Sequence, residues 1–436
     1  MHKKQPGYPG CFLSIILDNC AQFLYTESRG NFIPYTISKG AFLMKKFLAL
    51  ILAALILSTC MAFASFGDQA EETVIPDGIY RGSFTDPKQV EVEFEIKDNT
   101  FVQFKFRSLT FKEMNYLKND DAKIQAVGQQ YVDLGNYLVG KDFSALKDLY
   151  TPGNIASDVD GFTAATVRSS KVISAINDAV ARKPYKLTDT TSFTLDTYQD
   201  GTYRGAYLDS TQIQVEFVLK DNVFESVKLR TLGFKGSDYL KSEDAAMQGI
   251  AKQYTECTDY LVGKDVSAIM DLYAPENVAS DVDGFTAATM RSSKLISSIF
   301  DALNRGVYKL ADSTEINYDR AYEDGTYRGA YLNPSEVEIE FVLKDNVIES
   351  IRFRALAHKG INYLKSENEL ENKLANQYQA VIDYLVGKPL SAIKDTYTPG
   401  DFVEDIDGFT GATVRSSKII SAINDALTRG AYKLAE

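Results

Sequence analysis

The sequence predicts an α+β protein made of three tandem repeats, each a small antiparallel sheet packed with helices. A nearly identical stretch of twelve residues occurs three times, as DGFTAATVRSSK from Asp160, DGFTAATMRSSK from Asp283 and DGFTGATVRSSK from Asp407. The copies lie 123 and 124 residues apart, too far for a solenoid repeat and typical of whole domains. Within each period, strand patterns precede helical patterns, which is the order expected of α+β domains. The predicted repeats span residues 77–187, 200–310 and 324–434.

The N-terminal segment before the repeats carries a predicted export signal. Residues 44–64 combine a basic start, an apolar run of 11 residues and a final Ala-x-Ala, the pattern of a cleaved secretory signal peptide. We therefore expect residues 1–43 to be an extension of the gene model, and the protein to be exported and extracytoplasmic. The sequence around Cys60 also resembles a lipoprotein acylation site, which would anchor the protein to a membrane.

Charge and composition exclude several classes of function. The formal net charge is −12, and without the first 64 residues the chain has 41 basic and 57 acidic residues, or −16. Such a surface repels phosphate backbones, so nucleic acid is not expected as a partner. With His2 and His358 as the sole histidines, we predict neither a His-built metal site nor a Ser-His-Asp triad in every repeat. Cys257 aligns with Leu134 and Val381, which predicts a buried thiol.

Each repeat begins with the pattern of a three-stranded antiparallel meander. In the third repeat a segment opening Asp324-Gly precedes a strand with alternating apolar residues, and Asp345-Asn346 forms the turn to the next strand. The alternating positions are Val337, Ile339, Phe341 and Leu343. The first two repeats carry Asp-Asn at the same place, so we predict the same meander in all three.

Two helices are predicted after the meander. In the third repeat the first spans Asn368 to Leu385 and stops at Gly387, and the second spans Ser416 to Ala431. The connections 188–199 and 311–323 are polar and predict short, semi-flexible linkers. The buried stripe of the first helix is predicted to be Leu370, Leu374, Tyr378, Val381, Ile382 and Leu385. That of the second is predicted to be Ile419, Ile420, Ile423 and Leu427.

The repeated stretch directly before the second helix has a structural and a functional interpretation. Ser169, Ser292 and Ser416 would cap the helices, which would explain the stretch by local stability alone. However, the stretch is nearly unchanged in repeats that have otherwise diverged. A helix N-terminus also attracts phosphate, and an Arg two residues after the final Thr adds a suitable donor. The Arg residues are Arg168, Arg291 and Arg415. A Thr hydroxyl at this point is well placed to become a phosphate ester.

The stretch resembles the flavinylation signature Asp-x-x-(Ser/Thr)-Gly-Ala-Thr of the FMN-binding domain, found in the C subunit of sodium-translocating NADH:quinone reductase and the G subunit of the Rnf complex. The resemblance implies that an FAD:protein FMN transferase esterifies FMN to the last Thr. The implied acceptors are Thr166, Thr289 and Thr413. Asp160, Asp283 and Asp407 open the signature, and Thr163, Thr286 and Thr410 fill its Ser/Thr position. The third copy keeps the Gly as Gly411, whereas Ala164 and Ala287 replace it elsewhere, which favours the third site.

The resemblance implies an exported electron-transfer protein that carries up to three covalent FMN groups. A covalent flavin is retained outside the cytoplasm, and its ring system carries out the redox chemistry without a catalytic acid or base. No acid, base or metal-ligand cluster recurs in the repeats, so an electron carrier is favoured over an enzyme with its own substrate. The expected partners are the FMN transferase and membrane or extracellular redox proteins. The alternative is a non-redox exported lipoprotein, surface antigen or ligand-binding module.

Overall fold

The computed structural model describes most of the chain after residue 73, and Val74–Glu436 form one compact unit. The predicted extension, the signal segment and Cys60 lie outside the described residues. Among the helices described, none is long and apolar enough to cross a membrane. The described residues are 74–86, 88–111, 114–156, 168–188, 193–208, 211–280, 290–311, 318, 320–332, 335–403 and 416–435.

Each repeat contains a five-stranded antiparallel sheet, so the predicted α+β class is confirmed. In the first repeat the order is β4-β3-β2-β1-β5, with β1 Gly78–Asp86, β2 Lys88–Lys97, β3 Thr100–Phe111, β4 Met114–Asn115 and β5 Lys186–Leu187. In the second it is β10-β6-β7-β8-β9, with β6 Gly201–Leu208, β7 Thr211–Lys220, β8 Val223–Phe234, β9 Ser237–Asp238 and β10 Lys309–Leu310. In the third it is β14-β13-β12-β11-β15, with β11 Gly325–Leu332, β12 Ser335–Lys344, β13 Val347–His358, β14 Ile361–Asn362 and β15 Lys433–Leu434.

The three long strands of each sheet form the predicted meander. Asp345 and Asn346 make the turn between β12 and β13 with φ of 50° and 58°, the left-handed backbone that a type I′ hairpin requires. The four alternating apolar residues of β12 are all buried, as predicted. The outer strands of each sheet have two residues each, which is too short for an alternating pattern to reveal.

Two α-helices pack on each sheet. They are α1 Ala122–Leu138 and α2 Ser169–Ala181, α3 Ala245–Leu261 and α4 Ser292–Asn304, and α5 Glu369–Leu385 and α6 Ser416–Thr428. The 3-10 helical segments are Phe143–Tyr150, Pro152–Asn154, Val266–Tyr273, Pro275–Asn277, Tyr363–Lys365, Leu390–Tyr397 and Pro399–Asp401. The predicted stripe of α6 is buried. In α5 the prediction for Leu370 is wrong, because this side chain in the first turn is 61% exposed. The thiol of Cys257 in α3 is buried, as predicted.

A glycine in the first strand of each repeat allows the second helix to approach closely. A Cβ on Gly329 would lie 2.2 Å from the carbonyl oxygen of Ala422 in α6. Gly82 and Gly205 face α2 and α4 in the same way, again with less than 2.5 Å to the helix backbone. Backbone atoms cannot move aside as a side chain can, so the glycine is needed for this packing.

The connections between repeats are packed rather than semi-flexible, so that prediction is wrong for their described parts. Tyr198 donates its backbone N–H to Asn222 Oδ1 at 3.1 Å, and Tyr322 bonds Asn346 Oδ1 in the same way at 3.0 Å. Apolar side chains of each connection pack against the core of the repeat that follows it. In the first connection they are Phe193, Leu195 and Tyr198, and in the second they are Tyr318 and Tyr322. These few apolar residues are enough to attach connections that look polar overall to the repeat that follows.

The second helices of the three repeats meet in a closed ring of alternating buried Asp and Arg side chains. Each Arg bonds the Asp four residues earlier on its own helix and the equivalent Asp of the next repeat. Arg182 binds Asp178 at 3.0 Å and Asp301 at 2.9 Å. Arg305 binds Asp301 at 2.9 Å and Asp425 at 3.4 Å, and Arg429 binds Asp425 at 2.9 Å and Asp178 at 3.4 Å. Because each repeat makes the same contacts with the next, the three repeats are related by an approximate threefold axis that passes through this Asp-Arg ring.

The Asp-Arg ring also forms hydrogen bonds with backbone groups of the first strand of each repeat. The backbone N–H groups of Ser83, Ala206 and Ala330 donate to the Asp of their own repeat at 2.8, 2.7 and 2.9 Å. The carbonyl oxygens of the same three residues accept a hydrogen bond from the Arg of the preceding repeat in the ring, so that Ser83 of the first repeat is bonded by Arg429 of the third. The three carboxylates lie within 4.8 Å of one another, yet each is neutralised by guanidinium groups. Burial alone would raise the pKa of Asp425, but Arg429 and Arg305 outweigh it and hold that pKa below its usual value.

A tyrosine in each repeat forms a second cyclic contact. Its hydroxyl donates to a backbone carbonyl in a neighbouring repeat, near the short strand that closes that repeat's sheet. The bonds are Tyr150 to Ala431 at 2.6 Å, Tyr273 to Pro184 at 2.5 Å and Tyr397 to Val307 at 2.6 Å. The first and third repeats are therefore as closely joined as repeats adjacent in sequence.

Candidate functional site

The predicted acceptor stretches lie at the N-termini of α2, α4 and α6, and most of their residues fall outside the described part of the chain. Of the predicted site residues, the structure describes Arg168 and Arg291, directly before α2 and α4. Outside the described residues lie Asp160, Thr163, Thr166, Asp283, Thr286, Thr289, Asp407, Thr410, Gly411, Thr413 and Arg415. The site is therefore defined here by the groups that surround its helix end.

The two described Arg residues occupy the N-cap positions, and no side chain caps either helix. Ser169 and Ser292 are instead the first helical residues and are buried. The prediction that these serines are N-caps is thus wrong for α2 and α4. The helix start is fixed by a different group, a tyrosine hydroxyl that accepts the N–H of Arg168 at 3.1 Å and of Arg291 at 3.0 Å.

These hydroxyls belong to a Gln-Tyr pair on the first helix of each repeat. Gln253 Oε1 accepts the backbone N–H of Met290 at 3.2 Å, and Tyr254 accepts that of Arg291. The equivalent pairs are Gln130-Tyr131 and Gln377-Tyr378, and all six side chains are buried. Burial raises the pKa of Tyr131 and Tyr254, so these phenols stay protonated at neutral pH.

These Gln-Tyr pairs were not predicted from the sequence. A usable signal was present, because the same dipeptide recurs at the same place in all three first helices, with Gln on the predicted buried side. A buried amide needs hydrogen-bond partners, and a repeated one indicates a specific backbone contact. In the first and second repeats the contact holds the residue directly before the second helix.

A buried lysine in the first turn adds positive charge at each helix start. Lys171, Lys294 and Lys418 are the third residues of α2, α4 and α6, and each is at most 7% exposed. Their ammonium groups lie 4.8, 5.3 and 5.7 Å from the ring centres of Phe84, Tyr207 and Tyr331, within the range of cation–π attraction. Together with the partial positive charge of the helix N-terminus, they make this region favourable for an anionic group.

An aromatic ring from a neighbouring repeat packs beside each helix start. Tyr185 of the first repeat contacts Tyr207 of the second with ring centres 6.3 Å apart, and Tyr308 contacts Tyr331 at 6.0 Å. Tyr432 of the third repeat contacts Phe84 of the first in the same way, with ring centres 6.0 Å apart. Each of the three neighbouring tyrosines is part of the core of the repeat that it contacts. Contacts between neighbouring repeats thus surround the described starts of α2, α4 and α6.

Comparison with known families gives a match to part of the chain. Residues 331–428 match the model of the FMN-binding domain. The matched segment runs from the end of β11 to the last residue of α6, and so includes the third acceptor stretch and the Gln-Tyr pair of α5. No curated protein and no solved structure matches the chain. The third repeat is thus similar to an FMN-binding domain, which supports FMN as a ligand of this repeat.

Replacing Tyr254 by Phe is expected to lower the free energy of unfolding by about 1 kcal/mol, because the backbone N–H of Arg291 loses its acceptor. Urea denaturation followed by circular dichroism measures this change. Tyr260→Phe is the matched control, since its hydroxyl bonds Asp271 at the surface of the same repeat. Equal stability of the two variants would contradict the role assigned to Tyr254.

Proposed function

We propose that the chain is an exported electron carrier that holds FMN covalently on Thr413, and on Thr289 and Thr166 in the other repeats. The observation that carries the proposal is the match of residues 331–428 to the FMN-binding domain. That segment contains the full signature from Asp407 to Thr413. The acceptor Thr stands three residues before the first residue of the helix in every repeat.

The described surroundings of the helix start suit a phosphate ester. A phosphodiester keeps one negative charge, which the helix N-terminus and the buried lysine of the first turn would stabilise. The Gln-Tyr pair would hold the residues between the acceptor and the helix. In this proposal Arg168, Arg291 and Arg415 contribute donors to the phosphate, and the aspartates and first threonines of the signature are recognised by the transferase.

In the attachment step the chain is the substrate of an FAD:protein FMN transferase. The hydroxyl oxygen of the acceptor Thr forms a bond to the phosphorus on the FMN side of FAD. The bond from that phosphorus to the bridging oxygen breaks, AMP leaves with that oxygen, and the hydroxyl proton is released. Atoms balance without an oxidant or a reductant. Once attached, the flavin supplies the redox chemistry, while the chain positions it and prevents its loss.

Three flavins in one rigid unit suit electron transfer between partners better than turnover of a substrate. The Asp-Arg ring and the tyrosine contacts would keep the three sites at constant separations. The proposed partners are membrane or extracellular redox proteins, with export directed by residues 44–64 and a lipid on Cys60 as one form of attachment. Of the three sites, Thr413 is the strongest candidate, because Gly411 completes the family signature there.

The proposal is tested by co-expressing the full chain with an FAD:protein FMN transferase and measuring its intact mass. We expect the mass to rise by one to three units of FMN minus water, together with flavin fluorescence that survives denaturing electrophoresis. The matched control is the same chain expressed without the transferase. An unchanged mass in the presence of an active transferase would contradict covalent flavinylation.

A further inference from the structure

A cavity of about 100 Å³ lies at the threefold axis, on the sheet side of the Asp-Arg ring. Equivalent residues from all three repeats line it, mainly from the first strands β1, β6 and β11. The Asp-Arg ring lies at the C-terminal ends of α2, α4 and α6, whereas the candidate flavin sites lie at their N-terminal ends, and the aromatic side chains of Phe84, Tyr207 and Tyr331 lie between the two regions. The proposed electron-transfer function makes no use of the cavity.

Among the residues that line this cavity are three equivalent arginines from the first strands, Arg81, Arg204 and Arg328. The Nε of each donates to a glutamate on the neighbouring strand, at 2.5, 2.5 and 2.6 Å. These acceptors are Glu93, Glu216 and Glu340. This bond from Nε fixes the plane of each guanidinium group, whose remaining N–H donors lie on its two Nη atoms.

A tyrosine covers one face of each of these guanidinium groups. The carbon at the centre of each guanidinium lies 4.0, 4.0 and 3.9 Å from the ring centres of Tyr185, Tyr308 and Tyr432. The side chains are thus held between a carboxylate and an aromatic ring before any ligand arrives. Such pre-organisation lowers the entropic cost of binding.

The cavity is positively charged, although the protein as a whole is acidic. Its lining contains eight arginines and five carboxylates. The Asp-Arg ring accounts for three of each and is neutral, which leaves five arginines and two glutamates, Glu91 and Glu338. The second repeat has the neutral Gln214 at the equivalent position, opposite Thr231. Three further glutamates, Glu93, Glu216 and Glu340, bond these five arginines and also bond Lys105, Lys228, Arg230 and Arg352, so nine cations stand against five carboxylates around the cavity. In a chain of net charge −12, this local excess would attract an anion.

We propose that this cavity binds a small multivalent oxyanion, of which inorganic phosphate is the type, on the threefold axis. The cavity volume is about three times the volume that one molecule occupies in liquid water, which is enough for such an ion. A tetrahedral oxyanion has threefold symmetry and offers equivalent oxygens to Arg81, Arg204 and Arg328. Guanidinium groups bind such oxygens with paired, charge-assisted hydrogen bonds. The bound ion would connect all three repeats.

Isothermal titration of the full chain with inorganic phosphate tests this proposal, in chloride at matched ionic strength. We expect one saturable site per chain and a melting temperature that rises with phosphate concentration, because the ion binds the folded ring and not the unfolded chain. Sulfate should compete for the same site. AMP should bind no more tightly than phosphate, since the cavity accommodates the ion alone. Tighter AMP binding would overturn the assignment to a free oxyanion.

Arg204→Gln is expected to weaken phosphate binding by about tenfold or more, since a charged donor is lost. Arg204→Lys keeps the charge without the paired donors and should bind with intermediate affinity. The matched control is Arg352→Gln, because Arg352 bonds Glu340 from the exposed side and does not line the cavity. Absence of saturable binding to the wild-type chain would overturn the proposal, as would equal affinities of Arg204→Gln, Arg204→Lys and wild type.

Discussion

Replacing Arg305 by Ala is expected to lower the free energy of unfolding by about 3–5 kcal/mol, the range for breaking one side of a buried ion pair. Arg305 joins Asp301 of its own repeat to Asp425 of the third, and donates to the carbonyl oxygen of Ala330. Its side chain is 12% exposed. The variant therefore leaves two buried carboxylates short of a partner, and opens the contact between the second and third repeats.

Arg352→Ala is the matched control for this prediction. Arg352 also bonds a carboxylate, that of Glu340, but its side chain is 68% exposed. Water and salt screen such a pair, so its loss should cost about 1 kcal/mol or less. Urea denaturation of both variants gives the two values directly. A cost for Arg305→Ala as small as that for the control would contradict the claim that the ring holds the repeats together.

Replacing Thr413 by Ala is expected to abolish covalent attachment of FMN to the third repeat while leaving attachment to the other repeats unchanged. Alanine lacks the hydroxyl oxygen that forms the phosphate ester, so the loss at this site should be complete. The measurement is the intact mass after co-expression with the transferase. The variant should be lighter than the wild type by one FMN minus water, apart from the Thr-to-Ala difference itself.

Thr410→Ala is the neighbouring control for Thr413→Ala. It removes a hydroxyl within the same signature but not at the proposed acceptor. Its effect should be a lower yield of attachment through weaker recognition, whereas Thr413→Ala should give none at the third site. If the Thr410 variant lost the third flavin and the Thr413 variant kept it, the assignment of the acceptor would be wrong.

Local structure was largely predictable from the sequence because it depends on neighbouring residues. The alternation of β12, the left-handed turn at Asp345-Asn346 and the stripe of α6 all follow from patterns within a few residues. Leu370 was mispredicted because periodicity shows which face of a helix is apolar but not where the packed part of the helix begins. The short outer strands carry too few residues to form a pattern.

The ring of repeats was not predictable because its contacts join residues far apart in sequence. Asp178 and Arg182 on one helix resemble an ordinary exposed pair four residues apart, and nothing local shows that Asp301 and Arg429 complete their surroundings. The same limit explains why the connections between repeats were predicted to be semi-flexible. Their few apolar residues pack against the core of the following repeat, and the sequence pattern of the connections does not reveal that contact. In the candidate site, the acceptor stretch was visible as a motif, whereas the Gln-Tyr pairs that hold it lie on a separate helix.

Peptide mapping of the full chain after co-expression with the transferase tests the central claim most directly. Trypsin cleaves after Lys394 and Arg415, so the acceptor Thr413 lies in the peptide 395–415. The proposal predicts that this peptide carries one FMN minus water and that fragmentation places the group on Thr413. The equivalent peptides 148–168 and 265–291 report on Thr166 and Thr289. An unmodified peptide 395–415, from a preparation in which the transferase is active, would contradict the account.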